Sequence, residues 1–410
     1  MDQSATSILL FCLGYTSEAD GTKLLAEVTA EEWRLIAALA YQHGVGQLLY
    51  HRIKSKNIAI SEEVAGKLKE KYQQNAMRNM SLYQELHRLL GVFQEKDIPI
   101  IVLKGAYLAE AVYENIALRP MGDLDLLVNI DNLSRIEQEL LALGYQPMDC
   151  NRVIAQENYH FGYQLPEHGI HVEIHWSLFI RKNPLQFDEG GLWSRSQTVT
   201  IAQTTTRTLS PEDLLLHLCH HTARHTYDMR LRMFSDIGEL IKRQETRLDW
   251  ERIGARAGLW GTQHSLYFIL RLARELLDVP VPQDVLASFL PEDFKEDYLA
   301  LARQKIFIFS TENSMGKTEK IALVVNPIGL RKKIELIRYR LFPPRETMAL
   351  MYPAPANSWR IYFYYPVRLR DVLVRHGATL WQLARGNSKA QAFAEHTNQI
   401  TSLRDWLVSG

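Results

Sequence analysis

IPIIVLKGAYLAEAVYENIALRPMGDLDLLV, residues Ile98 to Val128, places two carboxylates, Asp123 and Asp125, on either side of Leu124 at the head of the apolar run Leu124 to Val128. Such a run reads as a buried strand. Strand side chains alternate with period two, so both carboxylates leave the same face. Like charges side by side at the start of a buried strand are unfavourable unless a cation sits between them. A divalent metal that takes hard oxygen ligands, Mg2+ or Mn2+, suits the pair. Upstream, Ile100 to Leu103 is a second apolar run; it ends at Lys104 and Gly105 and leads into a helical pattern from Ala106 to Glu114. A strand, a glycine turn and a helix N-terminus make an anion site, where free backbone N–H groups and the Lys104 charge face the ligand. Arg119 lies a few residues ahead of the acids. The stretch therefore joins metal ligands to a phosphate cradle.

Beyond it, Asp131 begins a helix with the apolar stripe Leu133, Ile136, Leu140 and Leu143, stopped by Gly144. Two strand-like runs follow, about Tyr159 to Leu165 and Ile170 to Leu178, joined by the polar turn Pro166 to Gly169. On the second, His171, Glu173 and His175 alternate with Val172, Ile174 and Trp176, so one face is polar. Alone this reads as a solvent-facing strand edge. Downstream of a paired-acid strand and a helix, Glu173 reads as a third carboxylate.

The segments LKG at Leu103 to Gly105, RPMGDLDLLV at Arg119 to Val128 and VEIHW at Val172 to Trp176 resemble the nucleotidyltransferases of the DNA polymerase beta-like superfamily. Within it the chain is most similar to a bacterial branch of uncharacterised nucleotidyltransferases. The resemblance implies an α+β fold: a small mixed sheet, built from a strand–helix–strand unit and a hairpin, flanked by helical N- and C-terminal lobes. It also implies metal-dependent transfer of a nucleotidyl group from an NTP donor to an acceptor hydroxyl, the acceptor being a small molecule, a saccharide or a peptide. On that reading Asp123, Asp125 and Glu173 hold Mg2+ or Mn2+, while Lys104, Gly105 and Arg119 neutralise the triphosphate. The chain departs from the superfamily in three ways. Ala106 follows Gly105 where Gly or Ser is common, the gap from the glycine to Asp123 is long, and the third acid is Glu rather than Asp.

Ser210, Pro211 and Asp213 announce a capped helix along which His217, His221 and His225 recur every four residues beside His220 and Arg224. Three readings of this flank stay open. It faces the nucleotide, through His221 and Arg224 above all; it shares a zinc ion; or it packs between helices. Asp236, further on, is expected to face the same cleft.

Formal charge is zero, from 47 basic and 47 acidic residues, so a long nucleic-acid partner is not expected. Cys12, Cys150 and Cys219 form no CxxC pair, which leaves neither a disulfide framework nor a cysteine zinc site and fits a cytoplasmic setting. No run reaches the length of a membrane span. Four regions are expected: a helical lobe over 1–95, whose Thr29 and Glu32 read as a capping box; a catalytic core over 96–180; a helical region over 181–290; and a basic, aromatic-rich helical region over 291–410. In the last, Arg331 to Arg340 and the aromatics Tyr352 to Tyr365 suit an acidic acceptor, a peripheral membrane contact or plain packing, and a tail or short helix at Ile400 to Val408 closes the chain. MGKT at Met315 to Thr318 lacks the first glycine of a phosphate loop and is discounted. Two rivals to the NTP-dependent reaction remain, a transferase using a sugar nucleotide and a non-catalytic binding or assembly protein.

Overall fold

Leu82, Leu86, Leu89, Leu90 and Phe93 recur at helical spacing and bury one side of a 34-residue helix, Glu62–Glu95, capped by Ser61. The computed structural model describes residues 3–14, 25, 27–148, 159–179 and 189–307, parts of 338–371, and 388–409. Before the long helix come α1 (Gln3–Leu13), α2 (Ala30–Gln42) and α3 (Gly46–Ser55), which makes the long helix α4. Thr29 and Glu32 close the expected capping box at the start of α2. Gly44 turns the chain into α3 at φ +69°, backbone that glycine adopts freely.

The core then opens with β1 (Ile101–Val102), a single helical turn α5 (Lys104–Tyr107) continued as a π-turn over Leu108–Val112, β2 (Leu124–Leu127) and α6 (Leu133–Ala142). Next come β3 (Gln146–Pro147), β4 (His160–Leu165), β5 (Ile170–His175), α7 (Glu189–Arg195), β6 (Gln197–Ile201) and β7 (Thr204–Thr208). They form a seven-stranded mixed sheet of order β3-β4-β5-β2-β1-β7-β6. β2 runs parallel to β5 and β1 parallel to β7, and the other neighbours are antiparallel. The α+β class and the mixed sheet are as expected. Two details differ. β1 and β2 are antiparallel, because the loop after the π-turn returns the chain to the end of β1 that it left, whereas a parallel crossover must carry it to the opposite end. The sheet is also wider than the resemblance implies, since 181–290 opens with the β6–β7 hairpin before its helices. That hairpin turns at Ala202 and Gln203, with φ of 49° and 59°, so the primed-type turn carries no Asn-Gly or Asp-Gly signal.

Helices α8 (Pro211–Arg224), α9 (Leu231–Arg243), α10 (Trp250–Trp260) and α11 (Gln263–Leu277) follow. Ser210 caps α8 by accepting the Asp213 amide, as the sequence predicts, and Gly261 ends α10 in the left-handed region. Asp213 is fully buried between Arg195 and Arg256, so it anchors α8 to its neighbours.

By contact the chain divides into two units, one over Met1–Asp149, Ala155–Leu299 and Leu407–Gly410, the other over Cys150–Ile154 and Ala300–Trp406. In the second, Met348, Ala354 and Ile361 form a small core under Tyr352, Tyr364 and Tyr365, while Trp359, Tyr362 and Phe363 are exposed. Met315 to Thr318 and most of the Arg331 to Arg340 cluster lie outside the described residues. The last helix spans Ser388–Leu407, longer than the short helix expected, because no Gly or Pro interrupts that stretch.

Candidate active site

Register decides the first wall of the site. Asp125 on β2 is paired with Glu173 on the parallel β5, so their side chains share a face, and Asp123 joins them from just before β2. Gly162 stands opposite Glu173 on β4, which leaves that side of the carboxylate without a cross-strand side chain. All three acids line one pocket of 560 Å3, together with Lys104, Gly105, Arg119, His221 and Arg224. Every residue singled out in the sequence for this chemistry therefore reaches the same space.

Their partners are less uniform than their positions. Lys104, at the turn out of β1, adopts φ +30°, backbone that suits glycine, and sends its ammonium 2.8 Å from Asp125 Oδ1. His175 Nε2 approaches the same oxygen at 3.0 Å and Glu173 Oε2 at 3.3 Å. Burial alone would raise the Asp125 pKa, but the Lys104 charge and the His175 hydrogen bond outweigh it and hold the carboxyl well below its usual range. Asp123 has no cation beside it among the described residues. Burial, with the like charges of Asp125 and Glu173, pushes its pKa up to about 6.

Two expectations change at this point. Lys104 is engaged with Asp125 rather than free for phosphate. The three carboxylates, although on one wall, do not close into a metal-sized cluster; among the described residues that convergence is reached by His160, Glu173 and His175. Gly105 is needed for close packing, since a Cβ there would lie 3.0 Å from Arg119 Nη1 and 3.3 Å from Met121 Sδ. Arg119 in turn is buried and gives Nε and Nη2 to the two oxygens of Asp236, each at 2.9 Å, and Tyr113 donates to the same acid. Asp236 thus does line the cleft, as the partner that fixes Arg119.

Helices α8 and α9 make the facing wall. His221, Arg224 and His225 line the pocket, whereas His217, one turn back along α8, is buried with neither ring nitrogen bonded. Burial, and then the Lys104 charge, keep all three imidazoles neutral by lowering their pKa, for His217 and His221 far below the usual value. The zinc reading of this flank loses its support, because these rings do not gather with a third donor into a metal-sized group among the described residues. Arg224 lies over the Tyr159 ring at 4.7 Å and meets no carboxylate there.

Sequence reasoning missed Arg232. Its guanidinium lines the pocket and donates to the Pro120 carbonyl at 3.4 Å, with no carboxylate in ion-pair range among the described residues. Burial and the nearby Arg119 charge lower its pKa, the mark of a cation short of counter-charge. His160 and His175 were missed as site residues as well. So was the scaffold role of the N-terminal helices. Asn75 and Asn79 of α4 bond the carbonyls of Ala117, Ile116 and Arg119, and Arg78 bonds those of Met121 and Gly122, so α4 sets the loop that presents Asp123. His43, beyond α2, accepts the Leu231 amide at the head of α9. Polar Asn75, Arg78 and Asn79 at spacings of three and four on a core-facing helix were the available signal.

The family model described as uncharacterised nucleotidyltransferase matches residues 29–278. No curated protein matches the chain. Among solved structures, the solution structure of the antibiotic-resistance factor ANT(2'')-Ia is similar over 46% of this chain and 95% of that one, at 14% identity and a TM-score of 0.34. The crystal structure of ANT(2'')-Ia in complex with adenylyl-2''-tobramycin is similar over 44% and 97%, at 15% identity and a TM-score of 0.33.

Proposed function

The chain belongs to the uncharacterised nucleotidyltransferase family, and from that premise we propose that it moves a nucleoside monophosphate from an NTP to an acceptor hydroxyl with release of pyrophosphate. One observation carries this reading. Within a single pocket, and among the described residues, Asp123 makes no ion pair on the strand wall, while Arg224 and Arg232 make none with a carboxylate on the helix wall. A fold that left its own charges unmatched this way suits a ligand of both signs, a divalent cation carried on a polyphosphate.

The chemistry of the donor set fits Mg2+ or Mn2+: Asp123, Asp125 and Glu173 are hard oxygen ligands on one face that would draw together to share an ion, and burial with the like charges of its neighbours makes the Asp123 carboxylate unfavourable without one. Bound to them, the ion would draw charge from the phosphate and acceptor oxygens. Lys104 then leaves Asp125 Oδ1 for a phosphate oxygen, which keeps its ammonium paired throughout. Arg224, Arg232 and the free Nη1 of Arg119 hold the remaining phosphate charge, and His221 donates from the neutral ring. Asp236 fixes the Arg119 guanidinium beside the pocket through two hydrogen bonds of 2.9 Å.

The test is a calorimetric titration of the full chain with each of the four NTPs, with and without Mg2+ or Mn2+, on the wild type and Asp123→Asn. Metal-dependent binding of one NTP, lost in the variant, is the expected result. Binding of a sugar nucleotide in place of every NTP would replace the reaction class.

A further inference from the structure

Beside the acid pair lies a donor set of different chemistry. His175 Nε2 is 3.3 Å from Glu173 Oε2, His160 Nε2 is 3.9 Å from the same oxygen, and one donor atom from each of the three residues lies within 4.8 Å of the others. The register explains the convergence. His160 and His175 are directly paired across β4 and β5, and Glu173 sits two residues from His175 on the same face. The rings face each other at a centroid distance of 5.0 Å. For metal–ligand bonds of about 2.1 Å, neighbouring donors stand roughly 3.0 to 3.4 Å apart. The Glu173–His175 spacing already meets this, and a small rotation of the half-buried His160 meets it on the other side.

Both rings present Nε2 to the carboxylate, so an ion among the three residues is held by two imidazole nitrogens and one oxygen. His175 is 2% exposed, and its Nε2 is shared with Asp125 Oδ1 at 3.0 Å, a contact that the ion replaces.

We propose that His160, Glu173 and His175 form a cation site of their own that takes a divalent transition ion, Zn2+, in preference to Mg2+. Two imidazoles and one carboxylate favour such ions, whereas Mg2+ prefers oxygen alone. Three protein ligands leave a coordination position open toward the pocket, where water or an acceptor oxygen can enter. The site rests on the proposed transferase reading only through Glu173, which it shares with the acid wall.

The experiment uses the full chain stripped of metal with a chelator and titrated with Co2+ alone, read by the visible absorption of the bound ion. One equivalent of Co2+ is expected, displaced by Zn2+ but not by an equal concentration of Mg2+. His160→Gln and His175→Gln should each weaken it at least tenfold. Absence of Co2+ binding in the wild type, or unchanged affinity and spectrum in both folded variants, overturns the proposal. Should His175→Gln fail to fold, His160→Gln at the half-buried edge decides by itself. Mg2+-dependent NTP binding separates the two readings. If it is present while Co2+ does not bind, this site alone falls; if Co2+ binds through His160 while no NTP binds, this site stands and the transferase reading falls.

Discussion

The two walls of the pocket hold charge in opposite ways. On the strand wall, Asp125 is gripped by Lys104 and His175, and Asp123, beside it, is left to repel its neighbours. On the helix wall, burial keeps His217, His221 and His225 neutral, and Arg224 and Arg232 are ion-paired to no carboxylate among the described residues. Each wall keeps one kind of charge uncompensated, and the two kinds differ. Arg119 and Asp236 tie the walls together through two hydrogen bonds of 2.9 Å, so their spacing is fixed by a buried ion pair rather than by the ligand. On the proposed reading, metal and polyphosphate relieve these unmatched charges when they bind.

Asp123→Asn should break the strand wall most severely. Loss of the acid that has no protein partner is expected to lower kcat/KM by about 1,000-fold or more, on the order of 4 kcal/mol. The metal-free fold should respond in the other direction. A carboxyl whose folded pKa is raised binds its proton more tightly when folded, so it loses stability as pH climbs from about 4 to about 6. Removing it should hold or raise the melting temperature at pH 7, by about 2 °C. Lower melting together with full activity would sink the assignment.

Arg232→Met sharpens the helix wall. A charge-assisted hydrogen bond to phosphate contributes about 1.5 to 3 kcal/mol, so nucleotide affinity should fall about 10- to 100-fold. Stability should not fall with it, because the guanidinium has no carboxylate partner to strand. Calorimetry and thermal melting on one preparation read both. Weaker melting with unchanged affinity would make Arg232 a packing residue.

The strand wall was partly legible because strands write their geometry in period two: spacing put Asp123 and Asp125 on one face, while Glu173 joined them only through the upstream pair and the family resemblance, its shared face being fixed by the β2–β5 register. Turn chemistry and caps were equally plain at Thr29, Ser210 and Gly144, where a local rule suffices. What stayed hidden depended on contacts far along the chain. Arg119 reads as an independent cation until Asp236, more than a hundred residues on, is seen to hold its Nε and Nη2. Arg232 lies in the mixed sequence RLRM, where nothing distinguishes a solvated arginine from a buried one. Lys104 could be assigned to the site, but whether it faces phosphate or Asp125 depends on the backbone turn at its own Cα. The β6–β7 hairpin was hidden by its composition, since its threonines alternate with few apolar residues and its turn has no glycine.

The helix wall should also answer to acid. His217, His221 and His225 have folded pKa values below the roughly 6.5 of the unfolded chain, so the unfolded state binds protons first as pH falls. Their contribution is fully present above about pH 6.5 and is lost below it, by about 1.4 kcal/mol per histidine per pH unit at most. Melting temperature should therefore drop between pH 7 and pH 5, and His217→Phe should flatten the drop. Asp123 acts with the opposite sign over part of this range, so the comparison is cleanest in the Asp123→Asn background. A pH-independent melt there would mean that these rings are not held neutral by burial.

The smallest effect separates holding a wall in place from acting through it. Ser210 accepts the Asp213 amide at 3.2 Å and so caps α8 at the end far from His221 and Arg224. Ser210→Ala should cost about 1 kcal/mol of stability through the lost cap. Asp213 stays clamped by Arg195 and Arg256, and those two pairs, not the cap, fix the direction of the helix. Nucleotide affinity should then stay within about twofold of the wild type, less than half a kcal/mol. A larger loss, with the melting temperature down by no more than the cap accounts for, would show that the helix wall is set by its first turn and that its arginines reach the ligand only when that turn is intact.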